Sequence, residues 1–398
     1  MLKVLQNPDF GRLFASHFVS EIGNQIYRIA LMAWAYQLTG SPALAAGVMV
    51  FSMLAQAIVA PLVAPLADVR ERKRLLVFSE ATSGFAVMLL PLFFMNSIVG
   101  IYLVAFLVAG VQRLGEPAVM AIVPEMVEKD DLDAANSLIL LPQRSLEMVF
   151  LGLAGLLVAT LGAKAAFWID AASFFLAALV LLGMRDFPAK GKPSGNYWSM
   201  VVDGLSYIAK NPTARFVVGV LAPAAALGAV EGSVAVVLAT DVLAGGDAKL
   251  GTIYYGFLDA AMAAGAVLGL FVVPYVTARY SRRAAFLVGL ALFGIFEAAV
   301  GFTSWVGWAM LFFALAGTVN QIFIVPARTM LQESADPKFM ARLFGGWGAA
   351  MSTATVIGFA LGGFLAEWIG VSNAFIVAGV GVFLVAVAGA WFGRSVKA

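Results

Sequence analysis

Residues 64–74 read APLADVRERKR, with six charges in the last seven positions, in a chain that is 62% hydrophobic and only 12% charged. Apolar runs flank the stretch at 42–66 and 75–95. Each is long enough to cross a bilayer core, which takes about 20 residues of helix. The stretch is then a polar turn joining two membrane helices, since charges of this density are excluded from lipid. A mean hydropathy of +0.93 extends that reading to the whole chain. The long runs lack the alternation of barrel strands, so the expected fold is all-α.

At the same window twelve spans follow, near 12–38, 42–66, 75–95, 98–121, 136–160, 164–184, 214–240, 250–276, 284–303, 305–326, 341–366 and 371–392. They are numbered 1 to 12 below. Joints such as LTGSP at 38–42 and MNS at 95–97 are so short that neighbours must be antiparallel hairpins. One connection is long, and it sets the expected domains: a six-helix bundle at 1–184, a cytoplasmic linker at 185–213 and a second six-helix bundle at 214–398. Within the linker, Trp198, Val201, Val202, Leu205 and Ile208 give 197–210 the pattern of an amphipathic helix lying on the membrane surface.

The halves also repeat. PLADVRERKR (65–74) aligns with PYVTARYSRR (274–283), and at one offset EPAVMAIVPEMV (116–127) aligns with VPARTMLQESAD (325–336). Pseudo-symmetric halves of six spans suit a carrier that rocks about a central site. With the N-terminus placed inside, 20 of the 25 lysines and arginines fall on the cytoplasmic side and 2 on the outer side. That bias predicts both termini in the cytoplasm. The start, MLKVLQNPDFGR, leads into a span too long for a signal peptide.

Composition narrows the chemistry. There is no cysteine and one histidine, His17, which removes thiolate and multi-histidine metal sites and the H-E-x-x-H hydrolases. A GxxxxGK[ST] phosphate loop is absent, so ATP is not the expected energy source. The chain is not expected to be an enzyme or to hold a cofactor or metal, and nucleic acid is not an expected partner.

Ionisable groups within spans are costly and usually face a protein interior or a water-filled cavity. Span 1 places His17, Glu21, Asn24 and Arg28 on one helical face, flanked by Gln25. Spans 4 and 5 both spell Q-R-x-x-E, as Gln112-Arg113…Glu116 and Gln143-Arg144…Glu147. Both motifs lie about ten residues from the cytoplasmic end, so their depths match. This predicts a buried charged cluster, with Arg113 facing Glu147 and Arg144 facing Glu116. The proton-coupling core is accordingly Glu21, Arg28, Arg113, Glu116, Arg144 and Glu147, with Asp170 the weaker candidate among the acids.

In the second half, Glu231, Asp259 and Glu297 lie within spans 7, 8 and 9 with no intramembrane lysine or arginine. Glu231 is the approximate repeat mate of Glu21 and is a candidate contact for a cationic substrate. The substrate cavity is assigned to His17, Asn24, Gln25, Tyr27, Gln112, Gln143, Glu231, Asp259 and Asn320. Gly358, Gly362 and Gly363 in span 11 read as a close-packing surface.

APLADVRERKR resembles the loop between helices 2 and 3 of the major facilitator superfamily, whose pattern is roughly G-x-L-A-D-R-x-G-R-K-R. Ala64 replaces the leading Gly, and Glu71 or Arg72 stands where the inner Gly is common. NPDFGRLFASHFVSEIGNQIY, EPAVMAIVPEMVEKDDLDAANSL and FWIDAASF are similar to the branch that holds macrolide-efflux proteins and the enterobactin exporter. Weaker similarity extends to lysophospholipid transporters. The resemblance implies twelve helices in two six-helix bundles and a bacterial inner-membrane location. It also implies a packing role for Asp170 and puts span 9, with Glu297, at the periphery. It places Arg113 in proton coupling and makes Asp68, Arg72, Lys73 and Arg74 a cytoplasmic gate, with Asp68 and Arg72 latching onto span 11 or the 4–5 loop.

The expected function is proton-coupled efflux of amphiphilic small molecules by alternating access. Partners are then a small-molecule substrate, protons and membrane lipids, with the chain a monomer. A lipid or lysophospholipid transporter or flippase, and an uptake carrier for polar metabolites, are the alternatives on the same fold. Span 5 has Gly152 and Gly155 but no proline of the antiporter pattern G-x-x-x-G-P-x-x-G.

Overall fold

The structure, a computed structural model, describes residues 1–189 and 206–392. Span 1 is the helix Pro8–Thr39 and span 2 is Pro42–Val69. Span 3 is Arg72–Leu89 continued by a π turn at Leu90–Phe94. Spans 7 to 12 are Pro212–Val237 with a π turn at Leu238–Leu243, Ala248–Thr277, Arg282–Gly301, Val306–Ser334, Met340–Ile369 and Val371–Phe392. Among the described residues, nine helices are long and apolar enough to cross a membrane.

Local chemistry sets the helix ends. Asn7 and Asn211 each cap a helix whose first residue is proline, Asn7 accepting from the Asp9 and Phe10 N–H groups. The side chain satisfies donors that the first turn leaves free, and proline lacks one to begin with. Span 4 is broken into Ile98–Gln112 and Gly115–Met126. Pro117 explains the break: it cannot donate to the Arg113 carbonyl four residues back, and its ring crowds that carbonyl. Spans 5 and 6 run as Leu132–Leu182 and turn at Gly162, whose φ of 79° suits glycine.

The helices gather into two compact units, one of Met1–Tyr207 with Ala335–Ala349, the other of Ile208–Ser334 with Ala350–Ala398. The start of span 11 therefore packs with the first unit. The amphipathic helix expected at 197–210 lies mostly outside the described residues. In the first unit, aliphatic and aromatic side chains of spans 1, 2, 3, 4 and 6 share a core that includes Ile26, Leu31, Val87, Ile101 and Phe167. In the second, span 11 presses on span 7: a Cβ on Gly358 would lie 2.0 Å from the Ala226 carbonyl oxygen, and one on Gly362 would lie 1.9 Å from Ser233 Oγ. Gly363 has open space instead.

Candidate functional site

The polar residues of span 1 form a directed chain. Arg28 Nη2 donates to Gln25 Oε1, and Gln25 Nε2 donates to Glu21 Oε1 at 2.6 Å. From the other side, Gln112 Nε2 of span 4 donates to Asn24 Oδ1 at 2.9 Å, and Asn24 Nδ2 reaches Glu21 Oε2 at 3.5 Å. Both arms end on the Glu21 carboxylate. Gln25 is buried, and Glu21 and Asn24 are half-buried. His17 lies one turn earlier, its carbonyl accepting from Ser20 Oγ. Tyr27 faces away from this chain: it is buried in the core with its ring edge-on to Phe167 at 6.0 Å.

The Q-R-x-x-E motifs pair differently from the expected cross-helix cluster. Arg113 Nη1 bonds Glu116 Oε2 at 3.0 Å and Arg144 Nη1 bonds Glu147 Oε2 at 3.1 Å, each within its own turn. A spacing of three puts the partners side by side on one helix, so neither needs the neighbouring span. These side chains are about a quarter to a half exposed rather than buried. Gln143 is exposed.

In the second unit, Glu231 interacts electrostatically with Asp259 and Glu297, and Tyr255 lies in the field of Asp259 and Glu231. Asn320 accepts from Gln321 Nε2 at 3.1 Å. Glu297, expected at the periphery, is 2% exposed, and both its carboxylate oxygens lack a donor. Its helix turns this face inward, towards protein.

The charged turn is built around two buried side chains. Asp68, past the apolar run of span 2, accepts from the Ala341 N–H at 2.9 Å and the Arg342 N–H at 3.1 Å. These are free donors of the first turn of span 11, where the helix dipole favours an anion. Arg342 Nε lies 3.1 Å from Asp68 Oδ2, close by charge though not aligned as a hydrogen bond. Its guanidinium sits over the Phe339 ring at 4.9 Å, and that ring stacks on Tyr207 at 5.0 Å. Burial pushes the Asp68 carboxyl up to about 6, against the pull of both N–H groups and of Arg342 and Arg72.

Arg72 is wholly buried. Its guanidinium donates to the carbonyls of Ala67 (3.2 Å), Ala121 (3.3 Å) and Pro337 (3.4 Å) and to the Glu125 carboxylate. The planar fork of arginine suits several acceptors at once. Glu71 caps span 3 by accepting from the Lys73 and Arg74 N–H groups at 3.0 Å. It also accepts from the Phe187 N–H at 3.1 Å. Lys73 pairs with Asp186 at 3.1 Å, and Arg74 is mostly exposed beside Glu71.

Sequence reasoning left out Arg342, Glu125, Pro337 and Glu80. Glu80 was open to the test applied to the other spans, an ionisable group inside an apolar run. The Arg72 and Asp68 partners lie far along the chain and leave no local signal.

A helical membrane chain with bonded ionisable groups inside it has the make-up of a solute carrier. The chain belongs to the Major Facilitator Superfamily, whose sequence pattern matches residues 13–240 and 221–398. It is therefore a multi-pass membrane protein of a transporter family, not an enzyme. It is 25% identical over 382 residues to the uncharacterized MFS-type transporter YfiS of Bacillus subtilis, covering 92% of this chain and 89% of that one. It is also 25% identical over 370 residues to the enterobactin exporter EntS of Escherichia coli, covering 89% and 84%. Among solved structures, a bacterial homologue of the iron transporter ferroportin in an outward-facing state superposes with a TM-score of 0.79 at 14% identity, over 97% of this chain and 100% of that one. FucP in the outward conformation gives 0.77 at 13%, over 97% and 99%. At these identities the structures speak for the fold.

Proposed function

We propose that this protein exports amphiphilic small molecules from a bacterium across its inner membrane by alternating access, driven by protons. The observation that carries the reading is the convergence of two donor arms on Glu21. An ionised Glu21 accepts from Gln25 and Asn24; a protonated one becomes a donor and a weaker acceptor, which loosens both bonds. A single proton would then reset a polar chain linking span 1 to span 4. Low but full-length similarity to the enterobactin exporter supports the direction of transport. In this reading the basic turn faces the cytoplasm, both termini lie inside, the chain works as a monomer, and Glu231 and Asp259 meet a cationic part of the substrate.

The Asp68 and Arg72 contacts support a gate that is made in one conformation and broken in the other. Breaking it frees the first turn of span 11 from the 68–72 turn.

The test is uptake of ethidium, a cationic amphiphile, into everted vesicles with proton release recorded. A protonophore is expected to abolish accumulation, and Glu21→Gln is expected to lower proton-driven uptake at least about tenfold. Protonophore-insensitive uptake, or wild-type proton release in Glu21→Gln, would refute the coupling.

A further inference from the structure

We propose that Asp170, together with Glu80, forms a proton-binding site inside the first unit where spans 1, 3 and 6 meet. Asp170 is fully buried, and neither carboxylate oxygen has a well-aligned hydrogen-bond donor, although the Ser173 hydroxyl is near enough to act on it weakly. The neighbouring Ser173 hydroxyl gives its proton to the Asp170 main-chain carbonyl at 2.8 Å. Span 1 meets the carboxylate with bare backbone: a Cβ on Gly23 would lie 2.4 Å from Asp170 Oδ1 and 2.0 Å from Ser173 Oγ. Span 3 packs closely on span 6 at the next residue, since a Cβ on Gly84 would lie 3.2 Å from the Ala171 carbonyl oxygen. One turn before Gly84 stands Glu80, whose Oε2 is buried without a donor, as is the Ser83 hydroxyl.

The charges around Asp170 make the electrostatics worse. Glu80 bears on it most strongly and Glu21 next, and the Tyr27 hydroxyl, itself buried without a partner, lies in its field. Of the cations of span 1, Arg28 is engaged with Gln25 and Arg12 lies beside Asp9, and His17 lies a turn and a half from Gly23 along the same helix. A buried carboxylate with no well-aligned donor and no counter-charge is strongly disfavoured, and a proton relieves it.

A cation and a proton both meet that need in principle, and packing chooses between them. The space beside the carboxylate does not admit even a methyl group on Gly23. Among the described residues no group of three or more acidic, His or Cys side chains could hold a metal ion. A proton needs no room, and it converts one carboxyl into a donor for the next. Glu21 lies in the field of both Glu80 and Asp170, so it links this site to the polar chain of spans 1 and 4. Use of the site in transport rests on the proton-coupled reading above; its existence does not.

The test is infrared spectroscopy of the purified full chain in liposomes at neutral pH, where a protonated carboxyl has its own C=O stretch. Asp170→Asn is expected to remove one such band and Glu80→Gln to shift it. A spectrum of Asp170→Asn unchanged from wild type in that region would overturn the proposal. Should Asp170→Asn fail to insert, an unshifted band in Glu80→Gln overturns it instead. A protonophore-insensitive wild type would sink the transport reading while leaving these bands in place, so the two failures are distinguishable.

Discussion

Arg342→Met removes the guanidinium that faces Asp68 and keeps much of the apolar stem. Asp68 is left at 0% exposure with its two main-chain donors and, of the two cations that act on it, only the more weakly felt Arg72. Breaking a buried ion pair from one side costs roughly 3–5 kcal/mol. The surviving N–H bonds, from a helix N-terminus, lower that by about 1 kcal/mol, while the lost stacking on Phe339 returns about 0.5 kcal/mol or more. The net is about 2.5–4.5 kcal/mol against the closed contact, or about 60- to 1,600-fold in its opening equilibrium. Because the chain has no cysteine, Met340→Cys supplies a single thiol at a site only 4% exposed. Labelling with a membrane-impermeant maleimide then reports opening of this contact. The rate in the Met340→Cys, Arg342→Met double variant should rise by that factor over the Met340→Cys parent. A rise under about threefold would show that the Asp68–Arg342 pair does not hold the start of span 11, and the gate argument would fail.

Three further outcomes follow from the same structure. The closed contact raises the Asp68 carboxyl from the ordinary 3.8 to about 6, so it binds the proton more tightly than the open one. Its contribution to closure is present at low pH and is lost as pH rises through about 6; labelling of the Met340→Cys thiol, normalised to Asp68→Asn at each pH, should speed up across that window. Arg72→Lys cannot reproduce the fork to Ala67, Ala121 and Glu125, and should cost about 2–4 kcal/mol and several degrees of melting temperature; an unchanged melt would contradict the fork. Gly23→Ala should destabilise by about 1–3 kcal/mol through collision with Asp170 and Ser173. Gly219→Ala, with open space around it, should be neutral or gain about 0.5–1 kcal/mol, and equal melts for the two glycine variants would refute the packing argument.

The sequence by itself determined the helical membrane fold, because a bilayer requires long apolar helices and exiles dense charge to the turns between them. It also determined which residues of span 1 share a face, since helical spacing fixes that without any partner. Partner choice was another matter. Arg113 and Arg144 were drawn across helices by matching depth, whereas the nearest acid, three residues on, is already in reach. The resemblance puts span 9 at the periphery, but it does not say which face of that helix meets protein, and Glu297 lies on that face. Only the tertiary structure brought Ala341 and Arg342 to Asp68 and Gly23 to Asp170, the first and last of these across separations of 273 and 147 residues. Such contacts depend on how helices pack, and packing is set by the summed shape of many side chains, not by any local pattern.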